Sequence, residues 1–469
     1  MVKIPENKKP IESRLVFRVK RNQDGSISRY KARLCAKGYA QKKGIDYTDI
    51  FAPTTRFDSI RVLLAIANMH DYEFKQFDIK TAFLYGELEE NIYMKPPPGL
   101  DYEEGYVCKL EKSLYGLKQS PRCWNMKFST FLQNYGFEPS TADKCVYTGY
   151  VKDVKVLLVI YVDDGLIFSS QMQAIDTVLD ELKSCFEIKI TENANYFVGI
   201  EIKRDYEQGK MYLKQSSYIK NVIRRFEMEN ANMITTPEDQ HTNLALTKDS
   251  NEVGEQVPYR QAVGSLMFLA TVTRPDISHA VGVASRYLNN PKTVHWNAVK
   301  RIIKYLIGTQ DYGIEFDKNK DRNLCGFTDS DYASDTETRW STSVYVFKLC
   351  NGPITWASRR QPTVTLSTTE AKYVAASQAT KEALWLQKLL LDIKEEVTKP
   401  TVLNIDNQSS IKLIRNPEFH NRTKHIDVQY HFVREKFEAG DIVPVYVNTK
   451  EQQADIFTKA LPRNRFQDL

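Results

Sequence analysis

Two adjacent carboxylates, Asp163 and Asp164, interrupt an otherwise apolar stretch, VKVLLVIYVDDGLIFSS, residues 154–170. Like charges side by side repel. A cation is the usual resolution, and hard oxygen ligands favour magnesium. A third acid, Asp78, ends the run FKQFDI within YEFKQFDIKTAFLYGELEENIYM, residues 72–94. Two metal ions held about 4 Å apart by such acids can activate an attacking hydroxyl and stabilise a leaving pyrophosphate, the in-line displacement of nucleotide addition. The plainer alternative is that Asp164 and Gly165 simply make a turn, which accounts for Asp164 alone but not for Asp163.

A second set of acids lies toward the C-terminus. Asp329 (in CGFTDSDYASD), Glu370 (in LSTTEAKY), Asp406 (in TVLNIDNQSSIKLI) and Asp455 (in QQADIFTKAL) recur at the ends of expected strands and helices. Four acids from four separated segments would line one two-metal site of the kind that hydrolyses a phosphodiester. Glu370 also has a plainer role, because Ser367-Thr368-Thr369-Glu370 fits a capping box at the start of a long helical pattern.

Positioning these acids falls to recognisable elements. VLLVIYV, residues 156–162, reads as a strand buried on both faces, and Asp164-Gly165 followed by LIF as a hairpin turn, so the aspartates fall at a hairpin tip. HWNAVKRIIKYLIGT, with apolar Trp296, Val299, Ile303 and Leu306, reads as an amphipathic helix with a basic flank of Lys300, Arg301 and Lys304. The proline-rich KPPPGLDYEEG, residues 95–105, reads as a loop, and the polar run 230–256 as an interdomain connection. A softer boundary follows in residues 312–327.

At 469 residues the chain exceeds one ordinary core, which implies about two to four domains. Apolar residues at 42% and charged residues at 26% are those of a globular chain, and no segment has the roughly 18 uninterrupted apolar residues of a membrane span. The seven scattered cysteines form neither a disulfide framework nor a zinc pattern, which with the absence of an apolar leader suggests a reducing compartment. The net charge of +6 is uneven: residues 1–40 hold eleven Lys and Arg against Glu6, Glu12 and Asp24, a net of +8, leaving the rest near −2. Such a basic lobe suits a phosphate backbone, although basic strands are more often merely solvated.

The motifs RYKARLCAKGYAQ, FAPTTRFDSIRVLLAIA, DIKTAFLYGELEENIYM, SLYGLKQSPRCWN and YVDD stand in an order that resembles the reverse transcriptase of copia-type LTR retrotransposon Pol polyproteins. TDSDYASD, LSTTEAKY, NIDNQSSIKL, FHNRTKHIDVQYHFVRE and QQADIFTKALP resemble the RNase H region that follows it. The resemblance implies an α+β and α/β multidomain chain: right-hand polymerase fingers and palm over 1–235, a thumb- or connection-like helical region over 236–320, and an RNase H-like domain with a mixed sheet over 321–469. It implies that Asp78 and Asp163 are the principal polymerase metal ligands, with Asp164 the second aspartate of the motif. Phe83 would lie under the incoming sugar, where an ordinary core aromatic is the alternative. Lys31 and Arg33 would reach the triphosphate. Tyr115 and Gly116 would line the nucleotide and template, although Gly116 and Pro121 are explained nearly as well by backbone shape. Asp329, Glu370, Asp406 and Asp455 would be the nuclease set. The implied cofactor is Mg2+ at two sites, with Mn2+ as an alternative. The implied partners are an RNA template, a DNA or tRNA primer, an RNA–DNA hybrid and deoxynucleoside triphosphates, with no membrane and the oligomeric state open. The implied location is the cytoplasm, within a virus-like particle, with the nucleus as an alternative.

The expected function is RNA-directed DNA synthesis coupled to RNase H cleavage of the hybrid. The rivals are a catalytically inactive nucleic-acid-binding remnant and a nuclease whose polymerase lobe only holds the hybrid; the presence of all seven acids, and of Phe83, argues against them. The family's upstream zinc knuckle, protease and integrase signatures are missing, which suggests a Pol C-terminal fragment or a truncated copy. His425 and His431 suit surface or packing roles, and the loop before Asp455, NTKEQQ, lacks the histidine of cellular relatives. Three residues depart from the family pattern: Leu15 for a tryptophan, Val344 for a glycine and Lys372 for an acid. None is expected to touch a metal ligand, and Val344 would be costly only if its backbone needs a positive φ.

Overall fold

The computed structural model describes every residue except 7, 22–25, 243, 246–251, 253, 255, 336–337 and 417–423, and at 20, 21, 28 and 424–430 it describes the backbone only. Contacts divide the chain into two units: residues 1–55 with 73–193, and residues 56–72 with 194–469.

The first unit is built on a six-stranded antiparallel sheet in the spatial order Ile188–Thr191, Glu73–Ile79, Asp164–Ser169, Val154–Tyr161, Val146–Val151, Glu138–Pro139. As expected for a strand covered on both faces, every residue from Val156 to Ile160 is buried. Helices Ser120–Asn134 and Met172–Cys185 cover one face, where Trp124, Phe128, Leu132, Ile175 and Leu182 pack on Phe77, Leu158 and Ile167. A hairpin of Ser13–Arg21 and Ile27–Ala36 carries seven of the eleven basic residues of the N-terminal segment. The proline-rich loop joins strands Glu87–Met94 and Tyr106–Lys112.

In the second unit a four-stranded sheet (Tyr196–Phe197, Ile200–Asp205, Lys210–Lys214, Gly313–Asp317) accompanies a cluster of helices. The basic amphipathic helix is present as Thr293–Gly308 and buries Val299, Ile303 and Leu306. The C-terminal sheet is mixed, in the order Gly352–Arg360, Thr342–Leu349, Cys325–Asp331, Thr401–Ile405, Ile442–Tyr446, antiparallel across the first three strands and parallel across the last three. The long helix Thr368–Asp392 packs on it and starts as the capping box predicts, with Ser367 Oγ accepting from the Glu370 N–H at 3.1 Å.

Helix Phe57–Met69, buried continuously from Ser59 to Asn68, packs within the second unit. The Arg61 guanidinium explains why, donating to the carbonyls of Ile354, Thr271 and Val272 at 2.7, 2.8 and 2.9 Å. One expectation needs correction: the hairpin turn is not Asp164-Gly165. Asp164 pairs with Tyr161, so Val162 and Asp163 form the two-residue turn, and Gly165 lies within the strand opposite Phe77 and Ile160.

Candidate functional site

The turn at Val162 and Asp163 is held in a conformation that its sequence does not favour. Val162 has φ +62°, a left-handed backbone that a β-branched residue adopts only under constraint from its surroundings. Two bonds supply that constraint: Trp124 Nε1–H donates to the Val162 carbonyl at 2.7 Å, and the Ile79 N–H to the Asp163 carbonyl at 2.9 Å. The second anchor comes from the residue after Asp78, which itself stands in register opposite Asp164. Asp78, Asp163 and Asp164 are thereby brought to one end of three adjacent strands.

Burial and the neighbouring Asp78 carboxylate push the Asp163 carboxyl above its usual range, while Arg33 and Lys31 pull it back. Arg33 stacks its guanidinium over the Tyr115 ring, 4.8 Å from the centroid, and that ring meets Phe83 edge-on at 5.1 Å. Burial raises the Tyr115 hydroxyl; Arg33 opposes this, and Asp163 and Asp78 add to it. The sequence-predicted residues Asp78, Asp163, Arg33, Tyr115 and Phe83 therefore share one site, with Lys31 in electrostatic reach on the same hairpin as Arg33. Phe83 is half-buried at the margin of the core, between its two expected roles. Gly116 is accounted for by backbone shape. Its φ is +95°, and a Cβ there would lie 2.1 Å from the Ala36 carbonyl oxygen, so only glycine lets its loop meet the end of the basic hairpin.

Among the described residues neither Asp78 nor Asp163 forms an ion pair, and no three acid, histidine or cysteine side chains stand close enough to hold an ion alone. Magnesium in nucleotide-handling sites takes one or two carboxylates and completes its shell with phosphate and water. The crowded pair Asp78 and Asp163 fits that requirement.

The C-terminal acids are arranged differently. Asp329 and Asp406 lie at the ends of adjacent parallel strands, where Thr328 pairs with Ile405. Between them stands the Lys372 ammonium, 2.7 Å from Asp329 Oδ1 and 2.5 Å from Asp406 Oδ1. Lys372 thus touches two expected metal ligands, contrary to expectation. Burial pushes the Asp329 carboxyl up to about 6, Lys372 restraining the rise and Asp406 adding to it. The contact with Asp329 is an ion pair only, since Oδ1 has no donor in hydrogen-bond geometry. Burial would lower the Lys372 ammonium, but its two carboxylates hold it above its ordinary value.

Glu370 does not join this group. Its carboxylate accepts from the Leu366 N–H at 2.7 Å and so caps its own helix. Asp455 is engaged elsewhere, 3.3 Å from Lys459 Nζ and 3.5 Å from Arg465 Nε. His431 is exposed, and the side chain of His425 lies outside the described residues. Val344 carries no positive φ and packs against Val346, Ala454 and Phe457 in its strand, so its replacement of a glycine is accommodated. The site residue that sequence reasoning missed is Lys372, whose signal was its departure from the family's acid.

Residues 1–240 match the family model described as reverse transcriptase (RNA-dependent DNA polymerase). The chain is 42% identical, over its whole length and 36% of the relative's, to the retrovirus-related Pol polyprotein from transposon TNT 1-94 of Nicotiana tabacum. It is 39% identical, over 97% of its length and 31% of the relative's, to the corresponding polyprotein from transposon RE2 of Arabidopsis thaliana. The chain therefore spans about a third of the polyproteins it matches. In fold it is similar to the foamy viral protease-reverse transcriptase solved in complex with RNA/DNA hybrid, with a TM-score of 0.50 and 13% identity over 92% of this chain and 50% of that one. The expected class, a polymerase fold joined to an RNase H-like fold, is the one found.

Proposed function

The chain belongs to the reverse transcriptase family of copia-type Pol polyproteins, and from that premise we propose that it is the RNA-directed DNA polymerase of such a polyprotein, extending a DNA or tRNA primer on an RNA template. The observation that carries this reading is the pair Asp78 and Asp163: two neighbouring carboxylates that form no ion pair among the described residues, beside Arg33, Tyr115 and Phe83. Asp78 and Asp163 would hold Mg2+, or Mn2+, with Asp164 beside them. When bound, the metal would supply the positive charge that an in-line attack on a triphosphate requires.

The remaining roles belong to the chain itself. Arg33 and Lys31 offer a guanidinium and an ammonium to phosphate oxygens. The Phe83 and Tyr115 rings form an apolar wall against sugar and base, and the Trp124 and Ile79 bonds keep the Asp163 turn from relaxing. An RNA–DNA hybrid is held mainly through its backbone and shape, so its binding weakens as salt rises. For RNase H cleavage, the second expected activity, the support is the fold of the C-terminal sheet; the Lys372 ammonium between Asp329 and Asp406 counts against it.

Primer extension on an RNA template with Mg2+ and deoxynucleotides tests the proposal. The unmutated protein is expected to extend, and Asp163→Asn to lose at least about 100-fold in rate. Undiminished extension by Asp163→Asn overturns the site assignment, and no extension by an unmutated protein that binds the primed template favours the inactive remnant.

A further inference from the structure

Each of the four C-terminal acids already has a partner within the chain. Asp329 and Asp406 share the Lys372 ammonium, Asp455 has Lys459 and Arg465, and Glu370 is bonded to the Leu366 N–H. We infer that Lys372 is a resident counter-ion, its ammonium occupying the cation position between Asp329 and Asp406, so that this centre holds no divalent metal and leaves the RNA of a hybrid intact.

The geometry makes ammonium and metal mutually exclusive. A magnesium ion bridging two carboxylates lies about 2.1 Å from each oxygen. That space is taken by the Lys372 nitrogen, 2.7 and 2.5 Å from one oxygen of each acid. An entering divalent ion would meet a like charge in a half-buried pocket where repulsion is weakly screened. Helix phase fixes which side chain enters. Residues 370 and 372 point about 200° apart around the helix, so when Glu370 turns back into the cap, Lys372 faces the strand ends. The contrast with the first unit is direct, since among the described residues Asp78 and Asp163 form no ion pair with an ammonium. For the polymerase reading, on which this consequence alone rests, the hybrid product persists until hydrolysis of its RNA strand is supplied in trans by a separate ribonuclease.

The test uses the full chain, a preformed RNA–DNA hybrid and Mn2+ counted by electron paramagnetic resonance, none of which depends on DNA synthesis. Unmutated protein is expected to cut the hybrid no faster than Asp329→Asn, and Lys372→Glu to bind about one further Mn2+ ion per chain. Should Lys372→Glu fold poorly, Lys372→Met provides a second reading. Its melting temperature is expected to fall in chelator and to recover in millimolar Mg2+, a response the unmutated chain lacks. Asp329-dependent cleavage by the unmutated protein would overturn the inference. So would equal Mn2+ counts in the unmutated chain and both variants, because the lysine would then be moving aside rather than replacing the metal. Failure of primer extension leaves these readouts unaffected, so the two proposals fail separately.

Discussion

Asp163 is half-buried and Asp329 buried, each with a second aspartate close by, yet only Asp329 has an ion-pair partner among the described residues. At Asp329 the balancing group is Lys372, whereas at Asp163 the nearest cationic groups, Arg33 and Lys31, act from a distance. Arg33 has a second task that a lysine cannot perform, because its planar guanidinium stacks on Tyr115 while its N–H groups remain available to phosphate. Arg33→Lys is therefore expected to keep the charge but lose its placement. Steady-state kinetics should show a rise of about tenfold in KM for the deoxynucleotide with a smaller change in kcat; an unchanged KM would remove Arg33 from the nucleotide site. Asp163 and Asp406 stand out in the sequence because each follows an apolar run, whereas Glu370 and Asp455 lie in polar stretches and are picked out by the motifs around them. Which of them meet was not legible. Glu370 and Lys372 are two positions apart, and choosing between them requires the phase of the helix against a sheet that only folding assembles.

The hairpin Val154–Tyr161 and Asp164–Ser169 shows the same limit in an element. Its strands were legible from the β-branched run, but its turn was misplaced, because Asp-Gly carries the strongest local turn signal. Gly165 answers to a different demand. A Cβ at Gly165 would lie 2.1 Å from Phe77 Cζ, so the glycine exists to admit a ring from the neighbouring strand. The turn then falls on Val162, where the bonds from Trp124 and Ile79 impose what its side chain resists. Gly165→Ala should thus displace Phe77 or part the two strands that carry Asp78 and Asp164, at a cost of about 1 to 3 kcal/mol. Extension activity should fall with it. Phe77→Leu, which removes the obstructing end of the ring, should restore part of both in the double variant. Purely additive losses in melting temperature would show that the two residues do not share this space.

Across the second unit, segments far apart in sequence are joined through buried charge, which is why its limits could not be read from composition. The polar run 230–256, expected to be an interdomain connection, falls inside the second unit, and helix Phe57–Met69 packs with residues 194–469. Arg61 is 1% exposed and donates to three carbonyls, its guanidinium 4.0 Å from the centroid of the Trp356 ring. Arg61→Met would leave those carbonyls without donors, and thermal unfolding should register a loss of about 3 kcal/mol or more. A second buried pair makes the unit sensitive to acid. Arg274 contacts Asp276 at 2.7 Å, and the Tyr305 hydroxyl donates to the same carboxylate at 2.7 Å. Burial works to raise the Asp276 carboxyl, but Arg274 and then Tyr305 hold it below the usual carboxylate range. An acid depressed in the folded state binds fewer protons than in the unfolded chain. Its contribution is therefore complete above the unfolded value of about 4 and disappears as pH falls through the folded value. Asp276→Asn should be less stable than the unmutated chain at pH 7, and the gap in melting temperature should narrow steadily below about pH 4 as Asp276 in the unmutated protein takes up its proton. A gap that stayed constant from pH 7 to pH 3 would mean that the carboxylate's charge contributes nothing there and that packing alone holds these helices together.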